Sequence, residues 1–348
     1  MRKIIKQLLL IFLILVIIKT FLAAIIPAPT VFADGYVYSK MAQSIAHSAN
    51  LLVHNLTPSQ YPPLYSVFLS LAYIFTNMEV VYFFMNFINA LLSSLIIFPA
   101  WLLAKEFLNQ KKALMTAILV SGIPATFSFP AFLMAENLFY PLFLFCIYFI
   151  YKSFTERNYK WDILAGIFIG LAFLTKVFAI ILLLVVFLIL IIKLFKKEFY
   201  EIKKKIVLAL IAFGLMSLWI IRQGLLFGFT INGFLGGYAS EIKANVNFLP
   251  SFISWFIIYL GFLCLASGII FFVTSFTTLK TKNNRLFYFS LISILTMILF
   301  VAVAANHNVS NAAFKTLFSW LSGRPIGRYI DMLLPLIFIN GIIGFKYY

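Results

Sequence analysis

The chain has 348 residues, 64% of them hydrophobic and only 11% charged, with a formal net charge of +17. That much apolar side chain does not fit inside one water-soluble core, which excludes a soluble enzyme and specifies a multi-pass integral membrane protein. The positive charge lies in short Lys and Arg clusters between apolar stretches, a pattern that sets orientation and excludes a nucleic-acid-binding face.

The first apolar stretch, residues 8–26, follows Arg2, Lys3 and Lys6. It is longer than the core of a secretory signal and lacks a small-residue cleavage site, so it reads as a retained first helix with a cytoplasmic N-terminus. Residues 27–78 form a large first outer loop. Within it Val37, Met41 and Ile45 share one helical face, which predicts a juxtamembrane helix beginning near Asp34. Further spans are predicted at 79–104, 113–130, 132–151, 162–175, 177–192, 206–221, 251–275, 286–305 and 329–345. The expected fold is therefore all-α: a single polytopic domain over 1–348, with about ten transmembrane helices and no separate soluble domain.

Two segments decide the topology. Residues 62–76 are apolar but cover only about 22 Å as a helix, short of a hydrocarbon core of roughly 30 Å. If this segment stays at the outer surface, nineteen of the 27 Lys and Arg fall on the cytoplasmic side. If it crosses, the majority moves outside, against the positive-inside rule. Residues 162–192 are apolar apart from Lys176, and as one helix would reach about 46 Å, so the chain is predicted to turn at Lys176.

On this topology the outer face collects Asp34, Lys40, His47, His54, Tyr61, Glu136, Lys176, Arg222, Lys243, Lys315, Arg324 and Arg328. Ionisable groups gathered at one membrane level mark a site more often than packing. Each also has a plainer role. Asp34 can cap the helix that follows it, Glu136 can favour the positive end of its helix, and Arg328 can anchor a helix at the interface. His47 and His54, seven apart, share a face as metal ligands only if their helix runs that far; surface histidines are the simpler reading. His307 is isolated in an outer loop and has no expected role. Gly166 and Gly170 form a small-residue pair suited to helix packing. Cys146 and Cys264 lie within apolar runs and give no disulfide framework. There is no phosphate-cradling glycine loop, nucleophile elbow or Cys-His metal cluster.

In the order of these residues the chain resembles the GT-C fold membrane glycosyltransferases: protein O-mannosyltransferases, aminoarabinose transferases of lipid A and oligosaccharyltransferase catalytic subunits. Asp34 stands early in a large first outer loop, followed by a helix and the Tyr61-Pro62-Pro63-Leu64-Tyr65 stretch. Ala135-Glu136-Asn137 stands in the next outer turn. Gly170, Leu171, Thr175 and Lys176 match a Gly-Leu and Thr-Lys segment, and Gly327-Arg328-Tyr329 with Pro335 matches an Arg-Tyr and downstream Pro. Two positions depart from the pattern, since Gly35 stands where many members carry a second acid and Glu136 replaces the commoner Asp. The chain also stops at Tyr348, just past its last predicted span, which reads as a short member or a truncated frame.

The resemblance implies a sugar donor carried on a polyprenyl phosphate, a lipid, glycan or protein acceptor, and membrane lipids as surroundings. Asp34 would act as base and Glu136 would position the acceptor or a metal. Arg328, Arg324 and Lys176 would meet the phosphate, and Tyr61 and Tyr329 would line the substrate site. No cofactor is required outright, and a divalent cation stays open. The competing classes are a transporter or lipid flippase, in which the acids would be ion or substrate ligands, and a non-catalytic subunit of the same fold.

Overall fold

The computed structural model describes residues 2–26, 33–54, 56–230, 233, 248–311 and 326–346. Among them seven helices are long and apolar enough to cross a membrane, or eight if one bent pair counts as a single span. The chain is a helical, multi-pass membrane protein.

Helix α1 (Arg2–Ala24) shows Leu9, Leu10, Leu13, Ile17 and Phe21 on its exposed surface. Lipid tails are as apolar as these side chains, so exposing them costs nothing in a bilayer. The first loop then forms α2 (Ala33–Ser48), a hairpin of β1 (Leu52–Val53) and β2 (Thr57–Pro58), and α3 (Leu64–Ser70), which runs on as a tighter turn to Ile74. The hairpin is antiparallel, with Leu52 opposite Pro58 and Val53 opposite Thr57. The apolar helix from Leu64 to Ile74 is only about 16 Å long and too short to span.

Next come α4 (Met78–Ser94), α5 (Ile97–Ala104), α6 (Gln110–Ser121) and the single turn α7 (Pro124–Phe127). Asn77 and Asn109 start α4 and α6 by accepting backbone N–H groups of Glu79 and Lys112. The sequence predicts one straight span over 113–130. The structure instead bends it by 70° between Ser121 and Pro124, because Pro124 has no N–H to continue the helix.

Helix α8 (Glu136–Thr155) is buried over almost its whole length and forms the central post, packed against α4, α5, α9 (Lys160–Phe173) and α14 (Asn284–Asn311). The turn expected at Lys176 is present. Helix α9 ends at Phe173, and a tight turn over Val177–Ile180 leads into α10 (Ile181–Phe195). Helix α11 (Tyr200–Phe227) lies directly on α9. A Cβ on Gly166 would come within 2.6 Å of the Leu208 carbonyl and one on Gly170 within 2.6 Å of Leu215, so the expected small-residue pair does set this approach.

The predicted span at 251–275 is two helices, α12 (Phe248–Ser267) and α13 (Ile269–Thr277), separated where Gly268 adopts φ of +79°. The last helix, α15 (Leu333–Gly344), packs against α13. Each predicted span thus corresponds to a helix, but two are broken, and α9 and α15 are too short to cross a bilayer unaided.

Candidate functional site

The site is assembled at one end of the bundle from four separate parts of the chain. Asp34 lies in the first turn of α2, and its backbone neighbour brings it against the turn before Glu136. A Cβ on Gly35 would meet the Leu133 carbonyl at 2.9 Å, so only glycine allows α2 to sit this close. That contact accounts for the missing second acid, since no side chain fits at position 35.

The turn before Glu136 is irregular backbone at membrane depth, where an unpaired carbonyl is costly. Two asparagines satisfy it. Asn89 of α4 donates to the Phe132 carbonyl at 3.0 Å and the Pro130 carbonyl at 3.4 Å, while Asn137 donates to Phe129, Phe132 and Met134 at 3.0–3.1 Å. Tyr65 in turn donates to Asn89 Oδ1 at 2.8 Å, joining the first loop to this turn. The Leu64 N–H donates to the Leu174 carbonyl, which fixes the Lys176 turn beside the same loop.

Two ion pairs occupy the centre. Arg328 Nη1 is 2.7 Å from Asp34 Oδ2, and the Tyr61 hydroxyl donates to Asp34 Oδ1 at 2.9 Å. Lys176 Nζ is 2.6 Å from Glu136 Oε1. Burial opposes the charge on Arg328, but the fields of Asp34 and then Glu136 outweigh it and hold the guanidinium above its ordinary pKa. Arg328 therefore feels both acids at once. Burial, followed by the charge of Asp34, raises the Tyr61 hydroxyl above its usual range, so Tyr61 remains a donor. Tyr38 meets the rings of Tyr61 and Tyr65 edge-on at 5.3 and 5.1 Å and backs this side of the site.

The other wall comes from the short turn Gly327–Tyr329 just before the last helix. Tyr329 packs against Phe178 and His307, and the Tyr140 hydroxyl donates to the Arg328 carbonyl. Asp331 lies just behind. Burial, then the negative charge of Glu136, pushes its carboxyl up to about 6.

This constellation unites a carboxylate suited to proton abstraction with two cations suited to a phosphate. The comparisons with known proteins bear on the same reading. The family model for dolichyl-phosphate-mannose-protein mannosyltransferases matches residues 60–221, just under half of the chain, which includes Tyr61, Glu136 and Lys176. A search of curated protein sequences found no match. Among solved structures, ArnT from Cupriavidus metallidurans bound to undecaprenyl phosphate superposes with a TM-score of 0.70 at 14% identity, covering 98% of this chain and 60% of that one. ArnT in the apo state gives 0.64 at 15% identity, covering 99% and 60%. The Archaeoglobus fulgidus oligosaccharyltransferase, tethered with an acceptor peptide containing the NVT sequon, gives 0.54 at 14%, covering 96% and 49%. The chain has the GT-C fold of membrane glycosyltransferases. It spans about 60% of the ArnT chain and about half of the oligosaccharyltransferase chain.

Within this GT-C fold, Asp34, Glu136, Lys176, Arg328, Tyr61 and Tyr329 come together as the sequence predicts. Arg324, Lys243 and Lys315 lie outside the described residues. Tyr61 turns its hydroxyl to Asp34, although the sequence reading gave it only to substrate. Arg222 is a structural tie instead of a site cation: it donates to the carbonyls of Ser59 and Leu51, and Gln223 joins it at Ser59. Helix α2 ends at Ser48, so His54 leaves the face of His47 and bonds to the Tyr36 hydroxyl. The histidine pair is therefore no metal site. His307 is not in a loop but within α14, against Tyr329.

Among the described residues Glu136 Oε2 is buried without a hydrogen-bond partner. Among the described residues no three His, Cys, Asp or Glu side chains are grouped to hold a metal ion, so they do not make a ligand set for one. Asn137 stands in the sequence motif beside Glu136 but without a role there, whereas Asn89 and Asp331 carry no local signal in the sequence.

Proposed function

We propose that this chain is a glycosyltransferase that moves a sugar from a polyprenyl-phosphate donor to an acceptor, with inversion at the anomeric carbon and Asp34 as the base. The observation that carries this is the convergence of Asp34 and Arg328 in one ion pair, with Glu136 and Lys176 paired alongside. ArnT of the same fold is bound to undecaprenyl phosphate, which favours a donor of that chemistry here.

The two cations are matched to a phosphate, and Arg328 in particular presents a planar fork. A donor phosphate competes with Asp34 for Arg328. As the guanidinium turns to the phosphate, Asp34 Oδ2 is released to accept a proton, while Tyr61 keeps Oδ1 in place. The acceptor O–H or N–H then gives its proton to Asp34 as its heteroatom bonds to the anomeric carbon. The bond from that carbon to the phosphate oxygen breaks, and its electron pair leaves on the polyprenyl phosphate. Arg328 and Lys176 stabilise the charge that develops there, so no second acid is needed to protonate the leaving group.

The charge distribution further supports an outer location for the site and a cytoplasmic N-terminus. The end of the bundle opposite the site holds Lys152, Lys193, Lys204, Lys205 and Arg285, in keeping with a cytoplasmic face.

The test is transfer from a labelled polyprenyl-phosphate sugar by the reconstituted chain. Asp34→Asn is expected to lower turnover on the order of a thousandfold, with the protein still folded. Wild-type turnover in that variant removes Asp34 as the base.

A further inference from the structure

The far end of the bundle carries a cavity of about 340 Å³ that takes no part in the chemistry above. It lies where α8 ends, where α10 turns into α11, and where α14 begins. Helix α8 runs 20 residues from Glu136 to this end, about 30 Å, so the cavity sits at the opposite membrane surface from Asp34.

Four cations line it: Arg157, Lys193, Lys196 and Arg285, against the single carboxylate of Glu198. Two of the four are already neutralised. Lys193 pairs with Glu198 at 2.8 Å and Glu201 at 3.6 Å, and Arg285 pairs with Glu156 at 3.2 Å. Arg157 and Lys196 form no ion pair among the described residues. Lys196 is instead held over the rings of Phe287 and Tyr288, at 5.4 and 5.7 Å. Two unneutralised cations at the mouth of one cavity favour an anionic guest.

The rim indicates where that guest comes from. Phe195 and Phe199, on the turn between α10 and α11, are 84% and 63% exposed. Rings as apolar as these are covered by lipid, and beside them Tyr200, 49% exposed on the cavity lining, carries the amphipathic ring that resides at the headgroup level, which places the cavity mouth at that layer instead of in free water.

We propose that this cavity binds the headgroup of an anionic phospholipid, with its phosphate between Arg157 and Lys196 and its acyl chains in the surrounding leaflet. Basic pockets between helices at the cytoplasmic surface recognise lipids by this chemistry. The cavity then fixes the depth of three helices whose other ends carry the candidate active site.

The experiment uses the full chain in nanodiscs of phosphatidylcholine with a minor share of phosphatidylglycerol, followed by native mass spectrometry of retained lipid. Wild type should hold phosphatidylglycerol selectively. The double variant R157Q/K196Q should lose about tenfold or more of that retention. The control K111Q/K112Q removes two exposed lysines from the same end and should retain the lipid. The charge-conserving pair R157K/K196R should also retain it, which separates lost charge from lost fold. Equal retention in R157Q/K196Q, or equal loss in the control, overturns the proposal. So does protection against heat by inorganic phosphate in detergent that matches the protection given by phosphatidylglycerol, because the guest would then be a soluble anion.

Discussion

Arg328 and Asp34 are 294 positions apart in the chain, yet their side chains meet at 2.7 Å. The first loop and the turn just before the last helix thus close on each other around one ion pair. If that pair is the latch that a donor phosphate opens, the shape of the cation matters as well as its charge. Arg328→Lys keeps the charge but loses the planar fork. It is expected to lower kcat by roughly tenfold to a hundredfold. An interfacial anchor would tolerate the exchange, so unchanged kinetics would assign Arg328 to anchoring.

Tyr61 tests the other oxygen of the same carboxylate. Tyr61→Phe removes the hydroxyl that holds Asp34 Oδ1 while keeping the ring against Tyr38. The expected loss is about tenfold in kcat, with a modest fall in melting temperature, because one hydrogen bond to a charged group contributes about 1.5–3 kcal/mol and water can replace part of it. A fall in melting temperature without any fall in kcat would make Tyr61 a packing residue only.

Asp331 supplies a pH dependence. Its carboxyl is raised to about 6, so the folded chain holds this proton more tightly than the unfolded chain does. The stability linked to it is fully present below the ordinary carboxylate range and is lost as pH rises through about 6. Ionisation also adds a negative charge beside Glu136, which opposes an incoming phosphate. The KM for the donor is therefore expected to rise about threefold to tenfold between about pH 5 and about pH 7.5. Asp331→Asn should flatten that profile, and a profile that survives the substitution would take Asp331 out of it.

The helices were legible because each must bury or lipid-solvate a long apolar run, and an expected sidedness comes from where lysine and arginine interrupt those runs. Asp34, Glu136, Lys176 and Arg328 were legible for a related reason: ionised groups at span ends are conspicuous against so apolar a background. Sequence alone did not show which cation meets which acid. That pairing depends on Gly35 lying against Leu133 and on the Leu64 to Leu174 hydrogen bond, both long-range contacts without a local signature. The breaks at Pro124 and Gly268 were harder still, since the apolar pattern runs through both.

Gly35 itself gives a sharp prediction. In Gly35→Ala the new methyl would lie 2.9 Å from the Leu133 carbonyl, and backbone cannot swing aside as a side chain can. Helix α2 must move away, at a cost of about 1–3 kcal/mol. Because Asp34 is the adjacent residue, turnover should fall together with the melting temperature. A variant that keeps both would show that the close approach of α2 to the turn before Glu136 is not needed.

Asn89 carries the last test, on the turn that aims Glu136. Its amide donates to the Pro130 and Phe132 carbonyls and its oxygen accepts from Tyr65. Asn89→Leu fits the same volume but strands the Pro130 carbonyl and the Tyr65 hydroxyl inside the bundle and leaves the Phe132 carbonyl to Asn137 alone among the side chains; each unpaired group costs about 1–3 kcal/mol. Tyr65→Phe removes only the hydroxyl and leaves both donations intact. The expected order is a large drop in melting temperature and turnover for Asn89→Leu and a small one for Tyr65→Phe. If the two variants are equally affected, the hydroxyl of Tyr65, and not the carbonyls of the turn, is what Asn89 serves.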